Sequence, residues 1–303
     1  MGEIYYKTLG MLLIIALGYL LKATKLLAPQ DARVLSKIAI NLTLPCVIIS
    51  NLNGLEISWN FVGAIIGGVV VNAILTAAAL LLTKRKTIEE RIVFLFAVPL
   101  FNISGYAVPV LQSFVSAKEI AVLLLFNLGT TVFTYVIVPS IAEKEYSGGK
   151  GKGWKQGVAS LGRNVPALTS LTMITLALFR IVIPQNIVGL ISNLSLANTA
   201  IAMLSIGLLF ELPKKQSAIG AKAIATRLSI IFLLGVCFRF APFLSKELRN
   251  ALTLVLFAPM VSCAPVLAME QGYRGSEVAC VNSAYLPISV ACMALVTGLL
   301  FGA

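Results

Sequence analysis

Proline, asparagine and small polar residues interrupt two long hydrophobic segments of the chain. Residues 91–113 read RIVFLFAVPLFNISGYAVPVLQS, and residues 249–272 read RNALTLVLFAPMVSCAPVLAMEQG. A helix that breaks in lipid leaves backbone groups without partners, so a break persists only inside protein or beside a polar cavity. The residue types at these breaks therefore predict non-covalent binding of a small polar ligand.

The first break carries the clearer set of binding residues. Pro99 cannot donate a backbone hydrogen bond and its ring crowds the preceding turn, so the first half of the helix ends there. A second half would begin near Ser104, where free amide groups and a positive dipole end favour a carboxylate. Pro109 is a second hinge candidate in this segment. The candidate ligand-binding residues are Asn102, Ser104, Gly105 and Tyr106.

The second break has a similar order of residues, with Pro259, Ser262 and Pro265. We expect Ser262 to bind ligand and the two prolines to act as hinges. A single proline kink is common in membrane helices and needs no ligand. Two breaks in corresponding segments instead favour a crossing of two broken helices, which marks the substrate site in transporters built from repeated halves.

Hydropathy divides the chain into ten apolar segments, numbered here as spans one to ten. Their bounds are 4–21, 34–52, 60–82, 91–113, 118–141, 164–183, 188–210, 222–242, 249–271 and 277–301. Eighteen of the 24 Lys and Arg residues lie in loops after odd-numbered spans, which predicts that both termini are extracytoplasmic. We therefore predict a multi-pass protein of the plasma (inner) membrane, with residues 8–21 as a retained first span instead of a signal peptide.

A glycine-rich basic segment, residues 142–163, divides the ten spans into two sets of five. We interpret residues 1–141 and 164–303 as two repeats joined by this short, mobile cytoplasmic linker. Because five is odd, the two repeats enter the membrane in opposite senses and are inverted. Asn41-Leu-Thr-Leu and Asn193-Leu-Ser-Leu match in order, as do Leu95-Phe-Ala-Val-Pro and Leu256-Phe-Ala-Pro. The predicted fold is an all-α polytopic membrane protein with ten transmembrane helices, of which helices four and nine are broken.

Several asparagines inside the spans are further candidates for ligand binding. They are Asn41, Asn127, Asn198 and Asn282, and Pro45 is a further hinge candidate on the same face of span two as Asn41. Amides and hydroxyls also bond across packed helices, which is the simpler role for the serines and threonines beside them. An unpaired amide in lipid is costly, so for the asparagines a polar cavity and a helix–helix contact both remain open.

The composition excludes most enzyme classes. Of the 303 residues, 58% are hydrophobic and only 12% are charged, which is too little charge for a soluble domain. Histidine is absent and Asp31 is the only aspartate, so His-bearing zinc sites, the usual serine triad and a paired-aspartate protease all lack their parts. We expect no cofactor and no metal centre, and we expect the five cysteines to be buried free thiols.

The positions of the charged residues bear on the coupling ion and on the partners of the protein. No Asp or Glu lies near the centre of a predicted span, which argues against proton antiport through a buried carboxylate. Coupling to sodium through amides, hydroxyls and freed carbonyls remains open, as does coupling to protons by another route. We expect Arg227 and Arg239 to snorkel from the ends of span eight. The net charge of +12 is spread over short loops, so we expect the lipid bilayer, and not nucleic acid, as a partner. A second copy of the chain is a further candidate partner.

Leu44-Pro45 in span two and Asn102-x-Ser-Gly105-x-x-x-Pro109 in span four resemble the auxin efflux carrier family, and its prokaryotic members more than its plant members. The resemblance implies a fold like that of bile-acid symporters and sodium/proton antiporters. Spans one, two, six and seven would form a scaffold, and spans three to five and eight to ten would form a moving transport unit. The chain lacks the Asn-Pro-Asn run and long central loop of the plant carriers, so the resemblance implies malate-like carboxylates as readily as auxin.

These observations lead to one main hypothesis and two alternatives. The main hypothesis is a secondary-active or facilitative carrier of small organic anions, which binds the carboxylate where spans four and nine cross. A sodium-coupled symporter similar to bile-acid carriers is the alternative within the same class. A membrane receptor that binds ligand without moving it is the alternative from another class, and ligand binding without flux would distinguish it.

Overall fold

Helices account for all the regular secondary structure in the part of the chain that the computed structural model describes. The described residues are 2–28, 30–56, 58–147, 153–209, 217–242, 244–273 and 275–301. The α-helices are α1 (Gly2–Ala23), α2 (Asp31–Ile38), α3 (Leu44–Leu52), α4 (Trp59–Leu82), α5 (Ile88–Ala97), α6 (Val108–Leu111), α7 (Ala117–Val132), α8 (Val138–Ser147), α9 (Gly153–Leu161), α10 (Val165–Leu178), α11 (Gln185–Leu209), α12 (Ala218–Arg239), α13 (Lys246–Leu256), α14 (Ala264–Glu270) and α15 (Ser276–Phe301). Short π-helical segments at Ala39–Thr43, Ile103–Ala107 and Phe133–Ile137 join some of them.

Among the described residues, six helical segments are long and apolar enough to cross a membrane. They are Asp31–Leu52, Phe61–Leu82, Ala117–Glu145, Gln185–Leu209, Ala218–Arg239 and Ser276–Leu300. These segments coincide with spans two, three, five, seven, eight and ten. Spans one and six contain shorter apolar helices, and spans four and nine are each split into two short helices, so the total of ten crossings stays a prediction.

The π-helical segments each end two residues before a proline. The pairs are Ala39–Thr43 with Pro45, Ile103–Ala107 with Pro109, and Phe133–Ile137 with Pro139. A proline has no N–H for the carbonyl four residues earlier, and its ring crowds that carbonyl. The residue before the proline instead donates to the carbonyl five residues back, as the Val108 N–H does to Ile103. The wider turn lets the helix continue through the proline.

One group of helices contains spans one, two, six and seven. Helix α11 packs against α1, α2 and α3, and α10 packs against α3. Helices α1 and α11 approach each other most closely at two glycines, where a Cβ on Gly18 would lie 3.0 Å from the Gly207 Cα. Where spans two and six end, the Asn53 side chain donates to the Ile183 carbonyl at 3.0 Å and accepts from the Ile183 N–H at 2.8 Å. These two hydrogen bonds join the ends of the two spans.

A second group contains spans three to five and eight to ten. Helix α4 packs against α7, α7 packs against α13, and α12 packs against both α5 and α13. A Cβ on Gly129 of α7 would lie 3.2 Å from the Gly68 Cα of α4, so these two helices also meet through glycine. The main hydrophobic core lies mostly in this second group, with fully buried side chains such as Leu75, Phe126 and Leu254, and it extends to Val47 and Met173 of the first group.

The segment that the sequence predicts to be a mobile linker is partly helical. Residues 148–152 of it lie outside the described residues, but α8 extends to Ser147 and α9 spans Gly153–Leu161. Helix α9 packs against the π-helical segment of span five, where a Cβ on Gly157 would lie 2.5 Å from the Tyr135 carbonyl oxygen. Glycine here allows close packing of two backbones, so residues 153–161 form a docked helix, and the mobility of the linker stays a prediction.

The outer surface of the described helices is strongly apolar. On α11, for example, Leu190 is 78% exposed and Leu196 is 70% exposed, as expected for side chains that face lipid. All five cysteines are free thiols, as predicted, but only Cys46 is buried; Cys263, Cys280 and Cys292 are partly exposed, and Cys237 is exposed on this surface. A lipid-facing thiol packs as a small apolar side chain, so the sequence pattern alone does not separate the two positions.

Candidate functional site

Span four is broken at the position that Pro99 and Asn102 predict. Helix α5 ends at Ala97, residues 98–102 are not helical, and the π-helical segment begins at Ile103. The Ala107 N–H donates to the Asn102 carbonyl at 3.1 Å and so starts the second half of the span. Within the described residues, the N–H groups of residues 103–105 have no acceptor, as expected for the first turn of a helix.

Span nine is broken in the same manner, and the two breaks contact each other. Helix α13 ends at Leu256 and α14 begins at Ala264, which leaves residues 257–263 without helical structure. The Asn102 N–H donates to the Pro259 carbonyl at 2.8 Å, and the Asn102 amide Nδ2 donates to Ser262 Oγ at 2.8 Å. The predicted meeting of Asn102 with Ser262 is therefore present, through one backbone and one side-chain hydrogen bond.

Two cavities share the Asn102–Ser262 pair in their linings. The first has a volume of about 200 Å³ and includes the predicted residues Asn102, Ser104, Gly105, Asn127 and Ser262 in its lining. The second has a volume of about 220 Å³ and includes the predicted residues Asn102, Tyr106, Pro259, Ser262, Pro265 and Asn282. Both residues of the pair thus contact both cavities.

Gly105 is needed for the position of the Asn102 side chain. A Cβ on Gly105 would lie 2.6 Å from Asn102 Oδ1, which is closer than side chains tolerate. With glycine there, the Asn102 amide sits over the first turn of the second half-helix while its Nδ2 reaches Ser262. Asn102 is partly exposed, so its amide is accessible from the cavities.

Arg227 of span eight binds the backbone carbonyls that the two breaks release. Its Nη1 donates to the carbonyls of Ala97, Val98 and Leu100 at 3.1, 2.7 and 2.9 Å. Its Nη2 donates to the Ala258 carbonyl at 3.1 Å. One guanidinium therefore satisfies carbonyls from both broken spans.

The surroundings of Arg227 explain how a buried charge is stabilised there. The residue is 1% exposed, and its guanidinium lies 4.4 Å from the centre of the Phe101 ring and 5.0 Å from that of the Tyr285 ring. The carboxyl ends of α5 and α13 both point at it, and each helix end carries roughly half a negative charge. Two such ends together offset about one positive charge. Aromatic faces add a further cation–π attraction.

The position of Arg227 corrects a sequence-based expectation. The snorkelling predicted for Arg227 is wrong, since the side chain points into the second helix group and not to the surface, whereas Arg239 is exposed at the end of α12. The crossing therefore contains a fixed cation. The sequence feature that indicated burial was the position of Arg227 within its span. It is the tenth residue of an apolar 22-residue helix, too far from the end for its side chain to reach water easily.

A model of a protein family described as membrane transport protein matches residues 4–157, about half of the chain. The family is auxin efflux carrier-like. The chain belongs to this family. No curated protein matches the chain in sequence.

Some residues predicted for the site of this membrane transport protein lie elsewhere. Asn41 is exposed and donates to the Lys37 carbonyl, and Pro45 lies in the first turn of α3, which begins at Leu44. Asn198 is buried and accepts a hydrogen bond from Thr43 Oγ1 at 2.8 Å, so it joins spans two and seven. Pro99 lies in the break, outside the lining of either cavity.

Pro109 contributes to packing between the two helix groups of this membrane transport protein. It is buried in α6, and its carbonyl accepts a hydrogen bond from Thr199 Oγ1 at 3.2 Å. The contact joins the second half of span four to span seven. Pro109 therefore acts at the boundary between the groups as well as in its own helix.

Two lining residues of the first cavity had no clear sequence signal. Tyr135 lies in the π-helical segment of span five, beside α9, and Asn164 caps α10 by accepting from the Ala167 N–H at 2.9 Å. An asparagine before a proline-initiated helix is a recognisable cap, but its place in a cavity depends on packing. Among the described residues, no group of His, Cys, Asp and Glu side chains comes together in a way that could hold a metal ion.

Proposed function

We propose that this protein is a secondary-active or facilitative carrier of small organic anions that binds its substrate at the crossing of spans four and nine. The observation that carries the proposal is the Asn102–Ser262 pair, which joins the two broken spans and lines both cavities. Broken helices that meet in this way supply amides, hydroxyls and helix ends to a substrate inside the membrane. Membership of a membrane transport family supports the same conclusion.

The chemistry of the crossing favours an anion over a cation. The first turn of the second half of span four offers free N–H groups at residues 103–105, beside the Asn102 amide and the Ser262 hydroxyl. Charge-assisted hydrogen bonds to a carboxylate suit this set of donors. Neither cavity has an Asp or Glu among its described lining residues, so no fixed negative charge opposes a bound anion there.

The two helix groups provide a route for alternating access. We infer that spans one, two, six and seven form the scaffold, and that the other six spans form the transport unit, with the two halves of the chain as inverted five-span repeats. The first cavity lies between the groups, since Ser36 and Ser205 line it from one side and Asn102 and Asn127 from the other. Displacement of one group along the other would therefore change which side of the membrane the cavity reaches.

The positive-inside bias suggests which side the cavity faces in this structure. With both termini outside the plasma membrane, the lining residues Ser36, Asn164 and Leu209 lie toward the cytoplasmic ends of their spans. On the other side, Val110 and Phe114 pack against Ala202 and Met203, and these apolar contacts close the path. We infer a conformation in which the site faces the cytoplasm.

Transport by purified protein in liposomes tests the proposal. A panel of mono- and dicarboxylates is first screened for thermal stabilisation, and stabilising acids, together with labelled malate and indole-acetate, are then tested for uptake. We expect Asn102→Ala to lower uptake at limiting substrate by about 10- to 100-fold, because a hydrogen bond to a charged group contributes about 1.5–3 kcal/mol. Loss of this amide also removes the bond to Ser262.

Asn41→Ala is the matched control, since it removes the same side chain from an exposed position outside both cavities. We expect its uptake to stay close to that of the wild type. Equal transport by the two variants would refute the assignment of the site. Binding of a carboxylate with no flux in either direction would instead favour a membrane receptor.

A further inference from the structure

We propose that the Arg227 guanidinium takes the place of a coupling cation, so that this protein moves its substrate without sodium. The inference rests on the proposed carrier function and adds to it the ion dependence of the site. In carriers with broken helices, sodium is held by unwound backbone carbonyls and by the carboxyl ends of half-helices. Those groups are the ones that Arg227 occupies here.

The geometry leaves these carbonyls with little capacity for a free ion. Three of the four acceptors come from the break in span four and the fourth comes from Ala258 in span nine. The guanidinium sits between them, and the Phe101 and Tyr285 rings lie 4.4 and 5.0 Å from it. A sodium ion would have to displace a cation that is tethered to the chain and already hydrogen-bonded to these oxygens.

The charge of the site also balances without an added ion. The carboxyl ends of α5 and α13 together carry about one negative charge, and Arg227 supplies one positive charge. In a protein with an empty position there, that negative end charge would oppose a carboxylate near Asn102, and sodium would be needed to offset it. With Arg227 in place, the negative charge of the two helix ends is always neutralised, so anion binding does not require a bound ion.

Arg227 acts on the site without touching the substrate. It is absent from the described lining of both cavities, and the Phe101 side chain, which it contacts, lines the first one. We therefore assign Arg227 as a positioning residue, which holds the two breaks together and sets the field in which the anion binds.

Ion replacement on the wild-type protein is the first test. We expect uptake in sodium, potassium and choline media to agree within about twofold, and we expect sodium to raise the melting temperature no more than potassium does at equal ionic strength. Sodium-specific stabilisation, or uptake that requires sodium, would overturn the proposal. The melting measurement needs no transported substrate, so it still decides the cation question if every carboxylate in the uptake assay fails.

Removal and replacement of the guanidinium is the second test. We expect Arg227→Ala to lower anion uptake by about tenfold or more, and we expect millimolar guanidinium or sodium to restore part of the loss. Arg239→Ala, at the exposed end of the same helix, is the matched control and should neither lose uptake nor respond to guanidinium. A loss of uptake in Arg227→Ala that neither guanidinium nor sodium restores would mean that Arg227 is merely structural, and it would overturn the proposal.

A conservative variant covers the case in which Arg227→Ala does not fold. Arg227→Lys keeps a positive charge at the carbonyls, although an ammonium cannot match the planar fork of a guanidinium. We expect its uptake, measured relative to the amount of folded protein, to stay independent of sodium. Sodium dependence in Arg227→Lys would argue that charge at this position does not replace the ion.

Discussion

Replacing Gly18 with alanine tests how closely the helices of the first group must pack. A Cβ at this position would lie 2.5 Å from the Leu204 carbonyl oxygen and 3.0 Å from the Gly207 Cα. Favourable contact begins at about 3.5 Å, so the added methyl group would be about 1 Å too close to the oxygen. Both neighbours are backbone atoms, so no side chain can move aside and the helices α1 and α11 must separate.

We expect Gly18→Ala to lower the free energy of unfolding by about 1–3 kcal/mol, the usual cost of overpacking. The better helix propensity of alanine offsets at most about 1 kcal/mol of a larger gross penalty. At roughly 2 °C per kcal/mol for a chain of this size, the melting temperature should fall by roughly 2–6 °C. Thermal unfolding in detergent, followed by tryptophan fluorescence, measures this shift.

Gly10 of the same helix provides the matched control, because a Cβ there would meet nothing within 4 Å. Gly10→Ala should leave the melting temperature unchanged or raise it slightly, since alanine favours helix. A Gly18→Ala protein as stable as the wild type would refute the close approach of α1 and α11. Equal destabilisation of both variants would show that the helix needs glycine for a reason other than packing.

Two further predictions concern contacts away from the crossing. Thr43→Val should lower the free energy of unfolding by about 1–3 kcal/mol, because it leaves the buried Asn198 Oδ1 without its donor. Thr172→Val is the control, because the Thr172 hydroxyl donates only to the Leu168 carbonyl of its own helix on an exposed face. We expect this control variant to change the melting temperature little. Glu145→Gln should cost at most about 1 kcal/mol, because it weakens the 3.0 Å ion pair with Arg91 at the membrane edge. The difference from wild type in a thermal scan should shrink at 1 M salt, and a difference that persists would indicate a packing role.

The two breaks could be predicted from the sequence because proline acts locally. Pro99 and Pro259 remove a backbone donor wherever they stand, so each span ends its first half close to them. The same local reasoning identified Asn102 and Ser262 as polar residues beside the breaks. Their hydrogen bond follows once the two broken helices cross. The crossing was predicted because the two breaks lie at corresponding places in the two halves of the chain.

Asn41 was misplaced because helical periodicity fails across a π turn. The sequence argument put Asn41 and Pro45 on one face of an α-helix, four residues apart. Residues 39–43 form a π-helical segment, which adds a residue to the turn and changes which side chains share a face. Asn41 consequently lies on the exposed side of span two.

The partners of Arg227 could not be identified from local sequence, although its depth in the helix was visible there. A basic residue within an apolar helix either reaches the surface or finds partners inside the protein, and the choice depends on the neighbouring helices. Here the partners are backbone carbonyls, which have no sequence signature and become available only because two other spans are broken. Acidic side chains were the partners that a sequence search would have sought.

The docking of α9 limits how far the two helix groups can move apart. Helix α9 is held against span five at Gly157, and α10 of the other group begins only a few residues after α9 ends. The connection from Leu161 to Val165 is four Cα–Cα steps, and a fully extended chain covers about 3.5 Å per step, or roughly 14 Å in all. The segment therefore works as a short tether, so a larger stroke at this end of the molecule requires α9 to detach first.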